Sequence, residues 1–195
     1  MRSRIVAALL AALVGSLAPL ALAGAEPEPI ERILAVVDGT PVLLSEVKTI
    51  ERLRGLERSA AVEALIDEKL MLKDAARLPE ALVGQDEAEK AAADLAARLQ
   101  PEVAAALGPR DLLRVARRQA AILKYVGFRF QPQVRVEDAD VKRAYESEFA
   151  GKDGAPSYEA ALPEITSRLQ RKALDQRIEA WVKDLRSAAD IRSQC

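Results

Sequence analysis

The spacing of hydrophobic positions is strand-like near residue 35 and helix-like from residue 45 almost to the C-terminus. Ile33-Leu34-Ala35-Val36-Val37 is a short continuous apolar run, and Asp38-Gly39 closes it with a hairpin-type turn signal. Val42-Leu43-Leu44 then predicts a brief return strand, after which Ser45 is a natural N-cap with Glu46 in the first turn. Ile50, Leu53 and Leu56 continue a first helix that Gly55 weakens. Ser59 is expected to cap a second, with Val62, Leu65, Ile66, Leu70 and Ala76 at core spacing and Pro79 beyond its end.

Asp86 to Leu99 predicts an alanine-rich third helix with a narrow stripe at Ala92, Leu95 and Leu99. A short piece, Pro101 to Leu107, is closed by Gly108-Pro109. Asp111 to Val126 follows as a regular amphipathic helix, turning Leu112, Leu113, Ala116, Ala120, Leu123 and Val126 inward. Phe130 to Val136 reads as an extended connector, and Glu137 or Asp138 opens another short helix through Tyr145. The glycines and proline of 150–157 mark a linker. Pro163 is then expected in the first turn of a final helix, whose seam runs from Leu162 through Ile165, Leu169, Ala173, Ile178, Trp181, Val182 and Leu185 to Ala189. That helix would be on the order of 40 Å long, too long for full burial in so small a domain. Ile191 follows it, placed to lie beside Ile33–Val37.

The N-terminus changes the compartment. Met1 to Arg4 is short and basic, Ile5 to Leu22 almost wholly apolar, and small-x-small sites follow at Ala21 to Ala25, as in a secretory signal peptide over residues 1–25. Cleavage there would remove Arg2 and Arg4, leaving 27 basic against 30 acidic side chains and no overall pull toward nucleic acid. One cysteine, Cys195, excludes an intramolecular disulfide; an intermolecular one stays open, and an incidental thiol is the plainer reading. The chain has no histidine. That removes Ser-His-Asp and Cys-His catalysis, histidine metal sites and histidine pH switching.

Three kinds of chemistry-bearing cluster remain. Ser45 to Lys48 spells S-x-x-K, but without the S-D-N and K-T-G partners of serine hydrolases, so capping is the expected role. The carboxylates Asp67-Glu68, Asp86-Glu87 and Glu137-Asp138 with Asp140 read as helix openings or solvated faces with counter-charges, and none has calcium-loop spacing. Arg110, Arg114, Arg117, Arg118 and Lys124 recur at helical steps as a basic flank, expected to be solvated and paired with neighbouring acids.

Several segments together resemble the SurA family of periplasmic, parvulin-associated chaperones. They are Ile33 to Gly39 and Val42 to Val47 (its opening hairpin and first helix), Ala64-Leu65-Ile66-Asp67-Glu68-Lys69-Leu70-Met71-Leu72 (its second helix), Arg118 to Val126, Val136 to Val141, Ile178 to Arg186, and Ala189-Asp190-Ile191. The resemblance implies that the C-terminal segment returns to pack on the N-terminal region. It also implies a prolyl isomerase domain between them, where this chain has only the Gly151–Ser157 linker and no active-site histidines.

The expected fold is therefore mainly α: a multi-helix SurA-type core with a small N-terminal β-hairpin that a C-terminal strand joins. Its divisions are 26–150 as a helical domain, 151–157 as linker, and 158–195 as the long helix and closing strand. The expected function is an ATP-independent periplasmic holdase for unfolded exported or outer-membrane proteins, not an enzyme, with no cofactor or metal and no membrane span after cleavage. The alternative is a non-catalytic adaptor dedicated to one partner. Client-binding candidates are Tyr125, Phe128 and Phe130, with Trp181 and Leu185 of the last helix. Their plainer role is ordinary core.

Overall fold

The computed structural model of the chain describes residues 31–193. The signal peptide expected over 1–25, the leader that follows it and Cys195 lie outside the described residues. Strands β1 (Ile33–Val37), β2 (Thr40–Leu43) and β3 (Ile191–Ser193) form one antiparallel sheet in the order β2-β1-β3. Between β2 and β3 run six α-helices: α1 (Leu44–Arg54), α2 (Arg58–Ala75), α3 (Gln85–Arg98), α4 (Pro101–Arg129), α5 (Asp138–Phe149) and α6 (Tyr158–Ala188).

The hairpin forms where expected. Asp38 and Gly39 have φ of 48° and 82°, the positive values a two-residue type I′ turn requires, and Val37 faces Thr40 across it. The C-terminus closes the other side of β1, with Val37 opposite Ile191, Val36 opposite Arg192 and Ala35 opposite Ser193. A latch reinforces this. The Asp38 N–H donates to the Asp190 carbonyl at 2.9 Å, the Asp190 N–H donates to Asp38 Oδ1 at 2.9 Å, and Lys73 Nζ lies 3.0 Å from Asp38 Oδ2. These bonds hold the Asp38 carboxyl below its usual range, the Asp190 N–H contributing most and Lys73 next.

The caps differ from expectation. α1 begins at Leu44 with Leu43 as its cap residue, two residues early, so Ser45 is already inside the helix. Two carboxylates cap in its place: Glu46 accepts from the Leu43 N–H at 3.1 Å, and Glu31 accepts from the Ser45 N–H at 3.0 Å. Hydrogen bonds from Ser45 hold the Glu31 carboxyl low. The second helix likewise starts at Arg58 with Glu57 as its cap residue, not Ser59. The expected break at Gly108 is present inside α4 (φ 72°, ψ 166°), a conformation that favours glycine. α6 begins at Tyr158, capped by Ser157 Oγ, which accepts from the Ala160 N–H at 3.2 Å. Pro163 therefore lies in the second turn rather than the first, leaving the Glu159 carbonyl without its helical donor.

Three hydrophobic clusters follow one another along the molecule. In the first, Ala35, Val37 and Val42 of the sheet meet Val47 and Ile50 of α1 and Leu65, Ile66 and Leu70 of α2, with Leu185, Ala189 and Ile191 packed against them from the C-terminus. Ile50, Leu65 and Ile66 are almost wholly buried. Each contributes about 1.5–3 kcal/mol by leaving water. The second joins Ala75, Tyr125, Val126, Phe130 and Trp181, and the third joins Val141 of α5 to Ala161 and Ile165 of α6. α5 thus packs on the first half of α6, across the turn at 150–157. At 31 residues α6 spans about 46 Å and serves all three clusters.

Candidate functional site

The five aromatic and leucine positions singled out by sequence have different fates. Tyr125, Phe130 and Trp181 are 4, 9 and 8% exposed and form a packed triad. Tyr125 and Trp181 stack with ring centres 5.0 Å apart, and Phe130 lies 5.3 Å from Trp181. Their polar atoms converge on one carboxylate of α2: the Tyr125 hydroxyl donates to Asp74 Oδ2 at 2.6 Å, and Trp181 Nε1 donates to the same oxygen at 3.0 Å. Burial pushes the Tyr125 phenol up to about 12, with the Asp74 carboxylate adding to the shift. Leu185 is half-buried where the first two clusters meet. These four side chains therefore serve as core, Tyr125 also forming part of one wall of the groove between α2 and α4. The reason is that one acid on the inward side of α2 can satisfy both polar tips, so the rings go inside. Phe128 is the exception at 56% exposed.

The open apolar surface lies elsewhere, along the seam between α2 and α4. Two hollows follow one another on the same two helices. The first, about 380 Å3, is lined by Ala64, Met71, Ile122 and Leu123 with Arg54, Asp67, Glu68 and Gln119. The second, about 400 Å3, is lined by Leu78, Tyr125 and Phe128 with Asp74, Arg77, Arg129 and Gln133. Leu123 is 69% exposed at the first and Phe128 at the second. Leu82, 66% exposed, is held beside α4 because Lys124 Nζ donates to its carbonyl at 2.7 Å. Three of the four large hydrophobic residues exposed among the described residues are thus on or beside α4; the fourth is Ile33. Such clustering, rimmed by charge, distinguishes a contact surface from scattered apolar residues.

The helices that make this groove are locked by charge. Arg118 reaches inward, 17% exposed, with Nη1 3.3 Å from Glu46 Oε1 and Nε 2.5 Å from Glu68 Oε1. The Nε–H is not aligned with that oxygen, so the contact is an ion pair without a hydrogen bond. Lys69 Nζ completes the group 3.0 Å from Glu46 Oε2. The basic flank expected to be solvated is divided accordingly: Arg118 is interior, Arg114 pairs with Asp111, Arg117 bonds Gln85, and Lys124 pairs with Glu87.

The remaining candidates fall into structural roles. Asp67 pairs with Arg186 of α6, which also meets Glu63, and these acids raise the pKa of the guanidinium. Asp86 and Glu87 open α3, and Asp138 and Asp140 open α5. Ser45 is bonded to Glu31 and stands at the exposed start of α1 with Lys48. Among the described residues no group of three or more Cys, Asp or Glu is placed to hold a metal ion, and no helix is long and apolar enough to cross a membrane. Neither a comparison with protein-family models nor one with curated protein sequences returned a match.

Sequence reasoning missed Asp74 and the groove itself, and it placed Glu68 on a solvated face where the structure buries it against Arg118. Both acids carried a signal: Asp74 stands one helical turn after Leu70 and Glu68 three residues after Leu65, both at inward-facing steps where an acid needs a partner. The groove carried none, since it depends on which faces of α2 and α4 are left uncovered.

Proposed function

We propose that the chain is a periplasmic, ATP-independent holdase, a SurA-type chaperone core that binds unfolded exported or outer-membrane proteins without chemistry of its own. The observation that carries this reading is the charge-rimmed α2/α4 groove with Leu123 and Phe128 standing open to solvent. An extended apolar segment laid in it would cover both side chains, and the few fixed polar contacts would allow many sequences to bind weakly. Two further features support it. The termini of the described body meet in one sheet, as the resembled family leads one to expect, and the segment where that family carries its isomerase is a short turn between α5 and α6.

The test is the refolding of an outer-membrane protein from urea with the purified protein at stoichiometric ratio. Suppressed light scattering that Leu123→Asp and Phe128→Asp abolish is the expected outcome. No suppression by the unaltered protein would refute the holdase, and capture of one stoichiometric partner from periplasm would favour a dedicated adaptor.

A further inference from the structure

The two hollows of the α2/α4 groove are not alike in charge. At the Leu123 end, the carboxylates Asp67 and Glu68 are engaged by Arg186 and Arg118. At the Phe128 end, Asp74 is the only acid and its Oδ2 already accepts from Tyr125 and Trp181. Facing it are two guanidinium groups. Arg77 makes a single 3.4 Å contact to Asp74 Oδ1 and its side chain is 75% exposed. Arg129 makes no ion pair among the described residues; its Cζ is 5.9 Å from the Tyr125 ring centre and 5.7 Å from that of Phe130. The rings hold that cation at the mouth of the hollow without neutralising it. Leu78 and Phe128 supply an apolar wall beside it.

We infer that this hollow selects extended peptide segments in which an aromatic or large aliphatic residue is followed two positions later by aspartate or glutamate, so that both side chains lie on one face of the segment. The apolar side chain packs on Phe128 and Leu78, and the carboxylate meets Arg129 and Arg77. This rests on the holdase reading and adds a charge preference to it. Carboxylate–guanidinium bonds are the strong, geometrically specific kind, and Arg129 presents an exposed guanidinium that no carboxylate among the described residues pairs.

The test uses purified protein and end-blocked, rhodamine-labelled peptides that differ at one residue, a central Phe-Ala-Asp (the Phe-Asp peptide) against Phe-Ala-Asn (the Phe-Asn peptide), followed by fluorescence anisotropy. The Phe-Asp peptide is expected to bind roughly ten-fold more tightly, as a hydrogen bond to a charged group allows, and the advantage should shrink at high salt. Arg129→Gln and Arg77→Gln should each erode the advantage while leaving the Phe-Asn affinity within about two-fold, with unchanged thermal unfolding showing that the fold survives. Equal binding of the two peptides, binding of neither, or an advantage that persists in the double Arg77→Gln, Arg129→Gln variant would overturn the inference. Equal binding together with retained aggregation suppression would overturn this inference alone, whereas no suppression at all would remove the holdase reading beneath it.

Discussion

Replacing Arg118 with methionine should be among the most damaging single substitutions outside the hydrophobic core. Among the described residues Arg118 is the only cation paired with Glu68, which is 4% exposed, and it shares Glu46 with Lys69. Arg118→Met leaves Glu46 its lysine but strands the Glu68 carboxylate in the interior. Breaking a buried pair from one side costs about 3–5 kcal/mol, because the remaining charge loses its partner and does not regain water. With a urea dependence of about 2 kcal/mol per molar, the unfolding midpoint should fall by roughly 1.5–2.5 M.

Trp181 reports the transition directly, being the only tryptophan and buried against Tyr125. The companion variant removes both partners, Glu68→Met with Arg118→Met. It strands no charge, and the Glu46–Lys69 contact at 3.0 Å is retained. Its loss should be less than half that of Arg118→Met alone. A single variant that loses under about 1 kcal/mol, or a double variant as unstable as the single, would refute this account of the buried charges.

Other outcomes follow from the same contacts. Trp181→Phe keeps a six-membered aromatic ring but deletes the five-membered ring of the indole and with it the 3.0 Å bond to Asp74, and should cost at least about 1–2 kcal/mol in urea unfolding followed by circular dichroism. The Tyr125 phenol, pushed up to about 12, should escape titration in an ultraviolet absorbance scan from pH 9 to 11. Because its folded pKa is raised, the stability it contributes is complete below pH 10 and declines as pH climbs toward 12. Asp38 has the opposite sign. Its depressed folded pKa makes its contribution full above about pH 4, the ordinary range for an aspartate, and lost as pH falls through the lower folded value. Asp38→Asn should therefore flatten the decline of melting temperature below pH 4. Leu123→Asp and Phe128→Asp remove side chains that are mostly in solvent, so thermal stability should change by less than about 0.5 kcal/mol, while the aggregation suppression proposed for the groove falls.

Where a local signal acts alone, sequence and structure agree. The Asp38-Gly39 turn, the break at Gly108 and the turn at 150–157 all appear. The pairing of Ile33–Val37 with Ile191, expected from the family resemblance rather than from a local signal, appears too. The cap of α1 was less legible. Ser45 has the right chemistry two residues too late, because carboxylates from Glu31 and Glu46 satisfy the free N–H groups first. The candidate site was the least legible part. Of Tyr125, Phe128, Phe130, Trp181 and Leu185, only Phe128 is open to solvent. The interior place of Tyr125 and Trp181 depends on Asp74, which is 51 residues from one and 107 from the other.

By itself the amino-acid sequence determined the element types and most of their limits, since hydrophobic period, glycine and proline act over a few residues. It also determined that the two ends of the described body belong together, through two apolar segments each too short to be stable alone. Tertiary structure decided which inward-looking faces remained uncovered, which arginine of a basic helix face turned into the interior, and which aromatic residue stayed outside. Those outcomes depend on partners brought together from distant parts of the chain. A helical stripe states that a face seeks cover, but only packing decides what covers it, and between α2 and α4 the cover is incomplete.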